Sequence, residues 1–153
     1  MATKIVTDST ADLPSELAKK LGITVVPLNV QFGEDTFLDG IDMHPDEFFQ
    51  RLATEKQLPT TSQPSPGKFI EAYKPLVDAG HDIISIHVSD KLSGTLNSAR
   101  QAKEQFKNAR IELIDSEQVT LSLGLIVLAA SAEVKKGAKF DAVIEEAKNA
   151  AAK

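Results

Sequence analysis

The stretch from Ile83 to Ala99 constrains the fold more than any other. A β-branched run, Ile83-Ile84-Ser85-Ile86-His87-Val88, passes through Ser89-Asp90-Lys91-Leu92 into Ser93-Gly94-Thr95-Leu96-Asn97-Ser98-Ala99. A short run this apolar reads as a strand covered on both faces, the condition of a parallel sheet under helices. The second half opens a helix, with Ser93 expected as its N-cap and Gly94 leaving the backbone accessible. Free amides and the positive end of the helix dipole would then face whatever sits above the sheet. Most strand-to-helix turns carry such residues only to cap a helix, so this turn gains meaning from its neighbours.

The same alternation recurs along the chain. Lys4 to Thr7 reads as a strand, Asp8-Ser9-Thr10-Ala11-Asp12 as its turn, and Pro14 to Leu21 as a helix stopped by Gly22. Ile23 to Val26 is a second strand. Pro27 to Phe32 stays extended, and turn signals at 33–35 and 39–40 suggest a small ribbon or flap. A helix from Pro45 places Phe48, Phe49 and Leu52 on one face. Residues 57–67, with three prolines and a row of hydroxyls, are expected to be irregular loop, and Ser65-Pro66 to cap and start the next helix through Phe69, Ile70, Tyr73 and Leu76. After the central turn come a helix with Ala99, Ala102 and Phe106 inward and a strand at Ile111 to Ile114. Asp115-Ser116-Glu117 is expected to cap a long helix from about Val119 to Lys135, and Phe140 to Ala151 forms the last helix.

This order implies an α/β fold, a parallel-stranded sheet with helices on both faces. Asp8-Ser9-Thr10, Ser89 to Thr95 and Asp115-Ser116 then share the carboxyl edge of the sheet, where open α/β sheets bind ligands. The long helix carries Val119, Leu121, Leu123, Leu125, Ile126, Val127 and Leu128 around its cylinder, which predicts burial on every side or the lining of a ligand tunnel.

Composition narrows the function. The 153 residues make one domain with a proper core, and a net charge of −5 without a basic tract argues against a nucleic-acid partner. With no cysteine there is no disulfide, thiol catalysis or thiolate metal site. No apolar run is long enough for an integral membrane segment and the amino terminus does not resemble a secretion signal, so a cytoplasmic protein is expected.

The motifs of common chemistries are missing. The sequence holds no Walker run, no glycine fingerprint after the first strand and no Gly-x-Ser-x-Gly. His44, His81 and His87 are scattered and read as core or surface residues. Asp35, Asp39, Asp42 and His44 miss calcium-loop spacing, because Phe37 stands at the third position, so a solvated flap is expected and no metal or cofactor. What remains is a neutral, donor-rich pocket. Thr61, Ser62, Ser93 and Thr95 hydroxyls plus helix amides suit a carboxylate held without a fixed cation. Two rival expectations stand beside it: an enzyme acting on a small acyl or phosphorylated substrate, with Asp8, Asp12, Asp90 or Asp115 as base, and a folding unit with no ligand.

Four segments together resemble the DegV family of bacterial fatty-acid-binding proteins: Lys4 to Pro14, Pro59 to Gly67, Leu92 to Ala99, and Ile114-Asp115-Ser116. The resemblance runs in family order over nearly the whole chain. It implies that residues 1–153 are the α/β amino-terminal domain, which normally pairs with a carboxy-terminal lipid-binding domain, apparently absent from this chain, with the long-chain fatty acid between them. It further implies a non-catalytic carrier that presents the carboxylate to a fatty acid kinase, the acyl phosphate then entering phospholipid synthesis. Thr61 and Ser93 match the positions whose hydroxyls bind the carboxylate, and Ser62, Gly94 and Thr95 flank them. Thr120-Leu121-Ser122-Leu123-Gly124 departs from the family's glycine-richer pattern at Ser122.

Magnitudes separate the roles. Burying an acyl chain yields about 0.8 kcal/mol per CH₂, on the order of ten for a chain of about sixteen carbons. A hydrogen bond to a charged head contributes about 1.5–3 kcal/mol, much of it offset by desolvation. The tail is expected to set affinity and the hydroxyls to set register.

Overall fold

A computed structural model describes residues 2–32, 34–39, 41, 45–54 and 59–152. The expected parallel sheet is present, in the order β2 (Thr24–Val26), β1 (Thr3–Asp8), β6 (Asp82–His87), β7 (Ile111–Asp115), every pairing parallel. Its central strands are sealed on both faces, Ile83, Ile84 and Ile86 having no exposed surface. One face packs α1 (Ser15–Leu21), α5 (Thr120–Lys135) and α6 (Phe140–Ala151) over Ile5, Ile84 and Ile86. The other packs Phe69 and Tyr73 of α3 (Pro66–Asp78) and Ala99 and Ala102 of α4 (Thr95–Lys103) over Val6, Ile83 and Ile111. Strand alternation explains the division, since successive residues point to opposite faces.

Helix ends follow local chemistry. Gly22 stops α1 with φ +70°, a left-handed conformation costly for other residues. Ser65 caps α3 through its hydroxyl at 3.3 Å from the Lys68 amide. A 3-10 turn, Ser9–Ala11, follows β1, and α5 runs so close to it that a methyl on Gly124 would stand 2.5 Å from the Ala11 carbonyl oxygen.

Beyond β2 the chain forms an antiparallel ribbon in the order β4 (Asp35–Leu38), β3 (Asn29–Phe32), β5 (Thr60–Ser62), with α2 (Pro45–Thr54) beside it. Here the structure corrects the reading of residues 57–67 as wholly irregular: Thr60–Ser62 pairs with Asn29–Gln31 as an edge strand. Pro59 and Pro64 lie outside the paired residues, where a missing amide costs no ladder bond. The ribbon's core is small, Val30 and Phe32 with Phe37 and Phe48 against them. Phe49 and Leu52 are exposed, so only Phe48 of the expected apolar face of α2 turns inward.

Three further expectations are corrected. The long helix α5 is not buried all round: Leu123, Gly124, Ile126, Val127 and Ala130 face the core, while Leu121 (67%) and Leu125 (58%) are exposed. Asp115 does not cap it, because its Oδ1 accepts instead from the Glu117 and Asp90 amides at 2.9 and 3.3 Å, and Val119 occupies the cap position. Phe106 packs against the core from beyond the end of α4. Asp35 is exposed and ion-paired with Arg51. Asp42 and His44 lie outside the described residues. No helix among the described residues is long and apolar enough to cross a membrane.

Candidate functional site

The register lines up the carboxyl ends of the strands. Asp8 stands beside Val26, and His87 beside Asp115. All three polar clusters of the sequence therefore leave the sheet at one edge, as a parallel topology requires.

The turn after β6 is held by its own backbone. The Ser89 carbonyl accepts from the Leu92 and Ser93 amides at 2.9 and 3.2 Å, and the Ser89 amide donates to the Gln118 carbonyl at 3.0 Å. Ser93, Gly94 and Thr95 are brought together: the Ser93 and Thr95 hydroxyls lie 2.8 Å apart, and Ser93 Oγ accepts from the Thr95 amide at 3.2 Å. Gly94, not Ser93, is the N-cap of α4, and no side chain caps it. The helix therefore begins one residue later than expected, and its first amides have no intrahelical acceptor. Ser93 is half-buried and Thr95 buried, so Ser93 is the more accessible hydroxyl.

The second hydroxyl loop arrives on the ribbon. Thr61 and Ser62, both exposed, pair with Val30 and Asn29. The next residue, Gln63, lies against the turn: a methyl on Gly94 would come within 2.9 Å of its side-chain nitrogen. Gly94 thus admits the Gln63 amide between the loops. Ser93, Gly94 and Thr95 form one cluster, and Gln63, the residue after Ser62, brings the second hydroxyl loop against it.

Below this edge lies a buried polar chain that sequence reasoning did not assemble. Asp8 Oδ2 accepts from the Val88 amide at 3.1 Å and stands 2.9 Å from His87 Nδ1. His87 Nε2 contacts Ser85 Oγ, which lies 2.7 Å from the Tyr73 hydroxyl. Asp8 Oδ1 accepts from the Thr10 amide at 2.9 Å and from the Thr10 hydroxyl. Asp8, His87, Ser85 and Tyr73 have no exposed surface. Burial alone would raise the Asp8 carboxyl, but the hydrogen bond and charge of His87, with Thr10 and Val88, outweigh it and hold the group below its ordinary value. Burial pushes the Tyr73 phenol well up, opposed by its bond to Ser85. An order of Asp, His and Ser normally suggests a nucleophile, yet here the serine is sealed under Phe69 and Tyr73, so the chain is structural. Its trace in the sequence is Ser85 and His87 at alternate positions of an apolar strand, and its partner Asp8 becomes visible only when β1 and β6 are neighbours.

Two further carboxyls stand nearby, Asp39 just past β4 of the ribbon and Asp12 at the end of the 3-10 turn after β1. Asp39 is pushed up by burial and by the charge of Asp8, against a hydrogen bond from Ser9, and Asp12 by burial and by Asp39. Asp12 adopts φ 55° at the end of the 3-10 turn. At the opposite edge of the sheet a groove of about 550 Å³ is lined by Thr3, Asp82, Arg110, Phe140 and Asp141. Arg110 there pairs with Asp82 and Asp141 at 3.7 and 3.0 Å and lies over the Phe140 ring, so its charges are already matched.

The chain matches, over residues 2–153, the family model described as "Uncharacterised protein, DegV family". It is 42% identical over 143 residues to a DegV domain-containing protein of Clostridium perfringens, an overlap of 94% of this chain and 51% of that one. The chain thus spans about half the length of the curated relatives it matches. Among solved structures it resembles a DegV family protein of Thermus thermophilus, described by its fatty acid binding, with TM-score 0.90 and 36% identity over 99% of this chain and 54% of the other. It also resembles a stearic acid-binding protein of Eubacterium ventriosum, with TM-score 0.89 and 33% identity over 96% of this chain and 52% of the other.

Proposed function

This chain belongs to the DegV family, and from that premise we propose that it binds a long-chain fatty acid and presents the carboxylate to a fatty acid kinase, whose acyl phosphate product feeds phospholipid synthesis. The carboxylate is taken by the Thr61 and Ser93 hydroxyls, with Thr95, Gly94 and Ser62 shaping the two loops. The observation that carries this reading is the contact of Gln63 with Gly94, which joins the two hydroxyl-bearing loops above the carboxyl edge. Neutral donors there suit an anion that must remain reactive toward a phosphoryl donor, because a fixed cation would lower its nucleophilicity. The exposed Leu92, Leu121 and Leu125 beside the edge supply apolar surface for the acyl chain. A carrier serving such a kinase would work in the cytoplasm, where nucleoside triphosphate is at hand.

The carrier reading is preferred over an enzyme acting on a small acyl or phosphorylated substrate. Two of the four candidate bases are engaged elsewhere: Asp8 is sealed and held by His87, Val88 and Thr10, and Asp115 Oδ1 accepts two backbone amides. The experiment is lipid extraction and mass spectrometry on protein purified without denaturant from its complete reading frame. A co-purifying long-chain fatty acid is expected, and its absence overturns the proposal. With a partner kinase, Ser93→Ala should lower phosphorylation of the bound acid more than its retention.

A further inference from the structure

We propose that Asp8 and Ser9 are positioning residues that set the spacing of the two carboxylate-binding loops, Asp8 acting chiefly on the Ser93 loop and Ser9 on the Thr61 loop. The inference rests on the carboxylate site proposed above. Two chains of hydrogen bonds leave this dipeptide in different directions. From Asp8, Oδ2 holds the Val88 amide at 3.1 Å. The next residue, Ser89, accepts from the Ser93 amide at 3.2 Å, and Ser93 Oγ then meets the Thr95 hydroxyl at 2.8 Å. From Ser9, Oγ accepts from the Leu28 amide at 3.0 Å, and the Leu28 carbonyl accepts from the Asp39 amide at 2.9 Å. The residue after Leu28 opens β3, whose Asn29 and Val30 pair with Ser62 and Thr61. Asp8 therefore fixes the height of Ser93, and Ser9 fixes that of Thr61. Asp8 ends the central strand β1 and Ser9 opens the turn that follows it, so the distance between the hydroxyls is set from beneath.

A role in general stability would weaken both loops together, whereas positioning predicts selective coupling. Affinity for stearate is measured on protein from the complete reading frame, for Asp8→Asn, Ser9→Ala, Thr61→Ala, Ser93→Ala and the four cross pairs. Ser9→Ala should weaken binding by about threefold alone and in the Ser93→Ala background, but by less than about 1.5-fold once Thr61→Ala is present. Asp8→Asn should show the mirror pattern, losing its effect in Ser93→Ala and keeping it in Thr61→Ala. Equal coupling to both hydroxyls, or to neither, overturns the proposal. If thermal melting shows that Asp8→Asn does not fold, the Ser9→Ala pairs decide by themselves.

A ligand-free readout separates this inference from the binding reading. In amide NMR spectra Ser9→Ala should move Thr60 to Ser62 most and leave Ser93 and Thr95 in place, Gly94 being set aside because Gln63 lies against it. If Thr61→Ala and Ser93→Ala leave affinity unchanged while these shifts are selective, the carboxylate site fails and the positioning stands. If the shifts spread equally over both loops, the positioning fails.

Discussion

The parallel sheet and the antiparallel ribbon each carry one arm of the proposed site, and they support it with cores of very different size, from which different stiffness is expected. Ser93 stands on the turn after β6, a strand whose side chains are closed over by two helical layers and whose exit is tied to Asp8 and to the Gln118 carbonyl. Thr61 stands on a three-residue exposed edge strand above a core of Val30 and Phe32. A site built this way has a fixed jaw and a compliant one. Under the proposed function compliance would have a use, because the loop that yields is the one through which a head group could enter or be handed on.

Matched truncations test the contrast first. Ile84→Ala empties a fully buried position of the central strand and should cost about 2–5 kcal/mol, lowering the denaturation midpoint of the whole domain. Phe32→Ala removes a buried side chain of the ribbon that stacks at 5.8 Å on Phe48. It should instead open the ribbon locally: hydrogen exchange accelerates at β3 and β5 by more than about tenfold while β1 and β6 keep their protection. If Phe32→Ala unprotects β6 as strongly as β3, the two regions form one cooperative unit and the contrast is wrong.

Acid acts with opposite signs on Asp8, at the end of β1, and on Asp39, just past β4 of the ribbon, with Asp12 in the turn after β1 following Asp39. Asp8 titrates below its ordinary value of 3.8 in the folded protein, so its contribution is complete above that pH and is lost as pH falls through the lower folded value. Asp12 and Asp39 titrate above 3.8 when folded, so the native state takes up their protons first and gains stability as pH falls toward that value. Denaturant melts followed by amide signals should therefore hold or strengthen around Leu28 and Asp39 on mild acidification, before the sheet weakens. Simultaneous loss in both regions from neutral pH downward would refute the assignment of these carboxyls.

The smallest expected effect lies one residue from Asp8. Thr7 Oγ1 is buried without a hydrogen-bond partner among the described residues, and β1 turns it to the face covered by α1, α5 and α6. Thr7→Val removes an unsatisfied hydroxyl at similar volume and should raise stability by about 1 kcal/mol in a thermal melt, where Asp8→Asn lowers it. A Thr7→Val protein less stable than the parent would mean that the hydroxyl has a partner.

Much of the fold was legible because its signals are local. β-branched runs, Gly22 and Ser65-Pro66 mark strand, stop and start without reference to anything distant. The errors fall where a distant partner decides. Residues Thr60 to Ser62 look like loop until β3 offers a ladder, and Leu121 and Leu125 look buried until the packing of α5 leaves that side open. Of the site, the three polar clusters and their shared edge follow from parallel topology alone. The Gln63–Gly94 contact and the Asp8–His87 bond join residues remote in sequence, and no periodicity announces them.

The central claim, that hydroxyls on a fixed and a compliant loop grip one acid group, is tested most directly by a structure of the intact protein with stearate. The account predicts one carboxylate oxygen within about 3 Å of Ser93 Oγ and the other within about 3 Å of Thr61 Oγ1, with the chain running past Leu121 and Leu125. A carboxylate seated elsewhere, as against Arg110 in the groove at the opposite edge, would contradict it.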